Sequence, residues 1–595
     1  MRLPSLTRIR QRASTLVTIM ILGTISLIAA GSLLAWTSTS NRLSDRNNEY
    51  YRAVAAAEAA TEKAIAQISY DYRTVGEAAN QAHLNDYRTT TPTAAENSIM
   101  GKFQFTDGQS AASKTYVEIS SAAQYKALNS QYKGLMGYAT TYRVASNAKD
   151  TTTHWGITAG VVQDVDVTTI PLFQFAIFYN LDLEINPGAD MTVSGPVHGN
   201  FDIYLQPAAD LTFQGDVTAA GSIIKGQRTG DCESRPGGAT LTFVGAHDDT
   251  ANQLNMPIGT NNSPANVRQV VELPAAGELA TSAMGQQRFY NKADMIIELS
   301  GTFAAPVTKV TSGLYNNFAT TVAKAQYVQT LTSGWLDYDN TFYNKREGKT
   351  VRSIDIDVGR FKEWSRTNTP IRSVLGRDIS TIYVVDKRTY GSTDEPGVRL
   401  VNGKELPALG LTVATPAPIY VWGDYNTKIS SSGSGSGGTS SGSDTTYTRP
   451  ASLIGDAVTI LSKGWLDLNS SLDLISRQAQ NTTVNAAIVA GIIQSTNCNY
   501  SGGVENLPRF LEDWSDITFT YNGSMVVLYE SKWATGLWEG TGSTVGYYSP
   551  PIRAWAFDQN FKNPAKLPPS TPCARTLIRG TYAATKPNST TPFTP

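Results

Sequence analysis

The apolar and polar positions change rhythm three times along the chain. From Ala13 to Asn41 there are 29 residues without a charge, and the most apolar part, Leu16–Trp36, is 21 residues long. As a helix that part spans roughly 30 Å, enough to cross a bilayer. No Gly or Pro interrupts the text from Ser32 to Val75, which is rich in Ala and other helix formers. Val54, Ala57, Thr61, Ala64, Ile65 and Ile68 fall on one helical face. Arg42 with Asp45 and Arg46 with Glu49 are spaced for i,i+3 pairs on the exposed side. The pattern predicts one helix over 14–72, roughly 90 Å long, with its membrane part at 14–36 and the remainder packed under a head.

Over 73–170 the text alternates between polar loops and short strands such as TYRVASN and HWGITAGVVQDVDVTTI, which predicts a small α/β layer against the helix. An internal repeat then begins. LDLEINPGADMTVSGPVHGN (181–200) aligns without gaps on FDIYLQPAADLTFQGDVTAA (201–220), and Asp182/Asp202, Pro187/Pro207, Asp190/Asp210, Thr192/Thr212, Gly195/Gly215 and Val197/Val217 coincide. Short apolar strands and Gly or Pro turns at a fixed period of 20 indicate stacked coils. Similar runs return in LTVATPAPIYVWGDYN, ASLIGDAVTILSKGW, TVNAAIVAGIIQS and GSMVVLYES. The fold class expected is α+β: a long N-terminal helix, a small α/β layer, and a mainly β head over 171–595. That head is expected to be a right-handed parallel β-helix with a mixed insertion at about 246–395, carrying helices around SGLYNNFATTVAKAQYV and VGRFKEWSRT. The Gly/Ser run at 430–443 has nothing to pack and reads as a loop between coils. ENLPRFLEDW (505–514) reads as a short amphipathic cap with Leu507, Phe510, Leu511 and Trp514 inward. The late tryptophans Trp514, Trp533, Trp538 and Trp555 are expected to be mostly buried.

Composition narrows the function. Hydrophobic residues are 41% and charged residues 17%, which fits a folded chain. With Lys+Arg at 49 against Asp+Glu at 50 there is no basic face for a nucleic-acid partner. Arg2, Arg8, Arg10 and Arg12 stand in a basic leader, 1–13, that contains no acid. They hold the N-terminus in the cytoplasm and place everything beyond Asn41 outside the membrane. Cys232, Cys498 and Cys573 include no CxxC pair, which argues against structural zinc. Three pairings are open, and Cys498 with Cys573, both in the final third, is the one expected.

Catalytic motifs are weak. GTSSG (438–442) has the nucleophile-elbow spacing but lies in the Gly/Ser loop. GKT (348–350) resembles the end of a phosphate loop, yet Tyr343 stands where its first Gly belongs. His83, His154, His198 and His247 are too scattered for a metal-ligand pattern, and His198 is read as a corner residue. Asp190 and Asp210 would stack one rung apart, roughly 4.8 Å. Such a pair forms Asx turns, the favoured reading, holds a structural Ca²⁺, or joins Asp182 and Asp202 in an acidic catalytic cluster.

RQRASTLVTIMILGTISLIAAGSLLA followed by YYRAVAAAEAATEKAI resembles the N-terminal module of PilX-type minor pilins. The resemblance implies cleavage of the leader by a prepilin peptidase after a small residue, here between Ala13 and Ser14. Most major pilins carry Glu as the fifth mature residue, whereas this chain has Thr18, as PilX-type minor pilins and the tip pseudopilin of type II secretion also lack it. That departure implies a tip or initiating position with no subunit above. Ala13 replaces the usual Gly. FQFAIFYNLDLEINPG, NYSGGVENLPRFLEDWSD and YYSPPIRAWAF resemble the C-terminal region of large PilX-module proteins of environmental bacteria. The expectation is a non-enzymatic, inner-membrane-tethered subunit of a type IV pilus or related secretion filament. Its partners would be other pilin-like subunits, the peptidase, the inner membrane and a surface glycan. The alternatives are a membrane-tethered β-helix acting on polysaccharide and a surface adhesin. A plain anchor or a cleaved secretory signal would share the apolar run.

Overall fold

The computed structural model describes residues 10–109, 114–236, 238–311, 334–367, 372, 375–431 and 437–585. Arg2 and Arg8 of the leader, the helix expected around 312–328 and residues 432–436 of the Gly/Ser loop lie outside the described residues. Helix α1 (Arg10–Thr74) runs 65 residues without a break. Its apolar half is long and apolar enough to cross a membrane and is not buried against any other part of the chain. Its second half buries Ala53, Ala57, Ala60, Ala64 and Ile68, one or two residues per turn on a single face. The small side chains let the helix lie close on a sheet.

That sheet is antiparallel. It contains β1 (Phe103–Thr106), β2 (Tyr116–Ala127), β3 (Met136–Asp150) and β4 (Thr158–Pro171), and both β1 and β2 pair with β3. Strand alternation turns Tyr142 and Val144 of β3 and Val165 and Val167 of β4 inward, where they join Ile65, Ile68 and Tyr72 of α1 in one apolar cluster. The other neighbour of β4 is Cys573–Thr585, a closing strand that returns from the far end of the sequence. The expected head, 171–595, includes this segment. Instead, Pro171 stands opposite Cys573 and Val167 opposite Leu577, so the head is inserted between two neighbouring strands of the helix-backed sheet.

The head begins with β5 (Ile177–Tyr179), β6 (Leu183–Ile185), β7 (Met191–Val193), β8 (Val197–Gly199), β9 (Ile203–Leu205), β10 (Leu211–Phe213) and β11 (Val217–Ala219). They pair in parallel as β5-β8-β11, β6-β9 and β7-β10, and each residue faces the one 20 positions on: Ile177 with Val197, Leu183 with Ile203, Leu211 with Met191. From Met295 a second set of parallel strands stacks in chain order: 295–301, 381–386, 411–414, 451–454, 487–492 and 525–530. Its last strand pairs with β5, Met525 opposite Ile177. The first strand of the head and one of its last therefore touch, in the middle of an 11-stranded sheet.

Several expectations are revised. The region 246–395 is not set apart from the stack, because 295–301, 349–357 and 381–386 are strands of the two long sheets. VGRFKEWSRT does form a helix, Val358–Thr367, with Phe361 buried. ENLPRFLEDW is not a helix but a short 3₁₀ turn, Val504–Asn506, and a strand, Pro508–Phe510. Pro508 has no N–H to give, and the strand sits at the end of its sheet, where that is tolerated. Leu507, Phe510, Leu511 and Trp514 are all buried even so.

The repeated glycines have a steric reason. A Cβ on Gly215 would stand 2.5 Å from the backbone carbon of Gly195, and one on Gly245 2.5 Å from that of Gly215. Successive turns close on each other there with no room for a methyl. Gly215→Ala is expected to cost about 1–3 kcal/mol in denaturant unfolding of the full chain in detergent. Gly188→Ala, where a Cβ would meet nothing within 4 Å, should stay within about 0.5 kcal/mol. Equal effects at both positions would contradict the close-approach account.

Candidate functional site

The Ala13–Ser14 bond lies in the first turns of α1, and Thr18 stands on its exposed apolar stretch. The buried half is keyed to both strands at the head's insertion point. Gln163 Nε2 on β4 donates to Thr61 Oγ1 (2.9 Å) and Glu62 Oε1 (3.0 Å). Arg579 on the closing strand donates to both Glu62 oxygens, at 2.6 and 2.7 Å. The Arg579 hydrogen bonds hold the Glu62 carboxyl below its ordinary range. Tyr72 Oη is 2.8 Å from Thr169 Oγ1. Glu49 accepts the Ile157 N–H (2.7 Å), while Arg46 lies over the Trp155 ring at 5.5 Å. Those two residues therefore work between helix and sheet, not as the local i,i+3 pair.

The aspartates of the repeat act on the backbone of the following turn. Asp190 Oδ1 accepts the Asp210 N–H (3.1 Å) and Asp210 Oδ1 the Thr240 N–H (2.7 Å). Asp182 and Asp202 do the same for Asp202 and Ser222 (3.3 and 2.7 Å). This is the turn role, extended from one coil to the next. Among the described residues no group of three or more His, Cys, Asp or Glu is placed to hold a metal, so the calcium reading of Asp190 and Asp210 gains no further ligands there. His198 is not at a corner but inside β8, stacked 5.5 Å from Phe178, with Nδ1 2.8 Å from Thr218 Oγ1 and Nε2 3.0 Å from Asn200 Oδ1. Burial pushes its imidazole down to about 4, against the Asn200 bond. The disulfide is corrected too: Cys498 pairs with Cys232, 266 residues away, and Cys573 is free. Stacking had brought the loops at 232 and 498 together, which no sequence spacing records. Burial raises the Cys573 thiol to about 11.

A concavity of about 920 Å³ runs along the six-stranded sheet that includes 336–344, 349–357, 394–401 and 419–422. Its floor is an ion network the sequence reading did not find. Arg399 Nε lies 3.0 Å from each Asp355 oxygen, and its Nη2 is 2.6 Å from Oδ2. Its Nη1 reaches Asp467 Oδ1 at 2.7 Å, an oxygen that also accepts Trp465 Nε1–H (2.7 Å). The guanidinium lies 5.0 Å from the ring centroids of both Phe342 and Trp422. Burial raises the Asp355 carboxyl, and the Arg399 and Ser353 hydrogen bonds oppose that. With two carboxylates on one guanidinium the floor keeps one net negative charge and is hydrogen-bonded, while Asp424, Lys404 and Lys463 form a looser rim. Such a surface can hold a polar ligand. The available sequence signal was a charge inside otherwise apolar strand text, Asp355 in SIDID and Arg399 in GVRLV.

No family model matches the chain, and no curated protein matches it. A solved structure, the competence-associated pilin ComZ from Thermus thermophilus, aligns over 90% of this chain and 98% of its own, at 10% identity and a TM-score of 0.24. A likeness of that size carries no argument about this chain.

Removing Arg399 alone would leave Asp355 buried and unpaired. Arg399→Leu is expected to lose about 3–5 kcal/mol in chemical denaturation, and Arg399→Leu with Asp355→Leu to recover most of it. Equal losses in the single and double variants would show that the pair is not what the floor depends on.

Proposed function

We propose that the chain is a membrane-anchored, minor-pilin-like subunit of a type IV pilus or related secretion filament, displaying a parallel β-solenoid as its head. The observation that carries this reading is α1 itself: a single 65-residue helix whose apolar half is left uncovered and whose second half is seated on an antiparallel sheet. A plain anchor has no need to continue into a seated helix. A filament subunit does, because the same rod must leave the bilayer and carry the head into an assembly. The leader ends at Ala13, Ser14 becomes the first mature residue, and Thr18, in place of an acidic residue, suits a tip or initiating position. The 20-residue register of the paired strands supports the solenoid. The saturated Asp355–Arg399–Asp467 network supports binding in preference to turnover. Partners would be other pilin-like subunits and the prepilin peptidase, with the helix in the inner membrane and the head exported.

The test is intact-mass and N-terminal analysis of the chain expressed with and without a prepilin peptidase. A terminus at Ser14 that appears only with the peptidase is expected. An unprocessed chain, or a terminus near Ser32 in both cases, would overturn the reading.

A further inference from the structure

A second cleft, about 400 Å³, opens where four distant segments meet. Asn186 comes from the turn after β6, Arg235 from the loop after Cys232, Tyr500 from the loop after Cys498, and Trp538, Tyr548 and Arg553 from the segment 538–553. The Cys232–Cys498 bond ties two of these together, and the Arg235 guanidinium lies 4.4 Å over the Tyr500 ring. Three residues lining this one cleft each carry a buried donor without a hydrogen-bond partner among the described residues: Asn186 Nδ2, Arg235 Nη2 and Arg553 Nε.

The rest of each side chain is well held. Asn186 Oδ1 accepts the Gln206 N–H at 2.7 Å. Arg235, with its side chain only 8% exposed, donates through Nη1 to Asp231 Oδ2 at 2.7 Å and Gln206 Oε1 at 3.3 Å. Arg553 lies 5.4 Å over the Trp555 ring. A buried donor left unmatched forfeits the hydration it had in water, and native structures keep few of them. Three around one cleft point to a ligand that brings acceptors. Two of the three are guanidinium nitrogens, and guanidinium prefers the paired oxygens of a carboxylate.

The remaining wall is aromatic, with two of its rings set edge to face. Tyr500 and Trp538 meet edge to face at 5.3 Å, and Trp538 Nε1 donates to Tyr548 Oη at 3.1 Å, which fixes both rings. Tyr500 is buried with Arg235 over its face, so the half-buried Trp538 ring is the one left to meet the C–H face of a pyranose. Glu505 at the back accepts Tyr500 Oη–H (3.0 Å) and the Asn186 N–H (3.4 Å), and burial pushes its carboxyl up to about 7. With Glu233 also lining the cleft, acids balance the two arginines. A bare small anion therefore gains little, and a ligand must engage the rings as well.

We propose that this cleft binds a uronate unit of an acidic polysaccharide, its carboxylate taken by Arg235 and Arg553, a hydroxyl oxygen by Asn186 and its ring by the aromatic wall. The site concerns the head alone and stands whether or not the chain enters a filament. The test is isothermal titration of the full chain in detergent with tetramers of galacturonate, glucuronate and mannuronate, their methyl esters, acetate, and a short peptide with a free C-terminus. At least one oligouronate should bind saturably, its ester at least tenfold more weakly, and acetate and peptide not measurably. Arg553→Gln and Trp538→Ala should each weaken binding at least tenfold, with the thermal transition in place. Should one variant fail to fold, the other carries the test. Arg553→Lys, which keeps the charge and loses the fork, covers failure of both. No binding by any oligouronate, equal binding by the esters or the peptide, or affinity unmoved in the folded variants would overturn the proposal.

Discussion

Everything above the membrane-length helix hangs on one strand pairing. The closing strand Cys573–Thr585 lies antiparallel along β4, from Pro171 opposite Cys573 to Gly160 opposite Thr585. All of the head between these partners leaves and re-enters the base at one edge. Glu62 of α1 then receives hydrogen bonds from Gln163 on one of the two strands and Arg579 on the other. Helix, outgoing chain and returning chain are thus bonded at a single junction, and a load on the head passes to the helix through two strands.

The same closure organises the head. Its first strand, β5, and one of its last, 525–530, are neighbours, so the early and late stacks grow away from a shared centre beside the base. Val197 and Val217 extend one side of it, and the strands at 487–492 and 451–454 extend the other. Cys232–Cys498 joins the two stacks again. In the chain-entropy description, a link closing so long a loop contributes about 5 kcal/mol by restricting the unfolded chain. The acceptor-seeking cleft lies at that second seam.

What could be read in the sequence was local or periodic. The uncharged run and the absence of Gly or Pro up to Val75 mark α1, whose bounds differ from expectation by a few residues. The 20-residue repeat marks which residues stack, and Gly195/Gly215 were visible as a coincidence before the missing room for a Cβ explained them. Non-local pairings were not visible. The closing strand carried a two-residue rhythm, with Ala574, Thr576 and Ile578 buried in alternation, yet nothing in that rhythm names β4 as its neighbour. Nearness in sequence misdirected the cysteine pairing for the same reason. Pro508 was the overlooked sign that 505–514 is not a helix. Arg399, Asp355 and Asp467, drawn from three separate segments, meet only once the sheets are stacked.

Amide hydrogen exchange on the full chain in detergent micelles probes whether the head is inserted between β4 and the closing strand. With the strand in place, the amides of Thr576 and Ile578, which point at β4, exchange as slowly as those of their partners Thr168 and Asp166. Exchange of Thr576 and Ile578 at the rate of a free tail, with β4 still protected, would rule the insertion out.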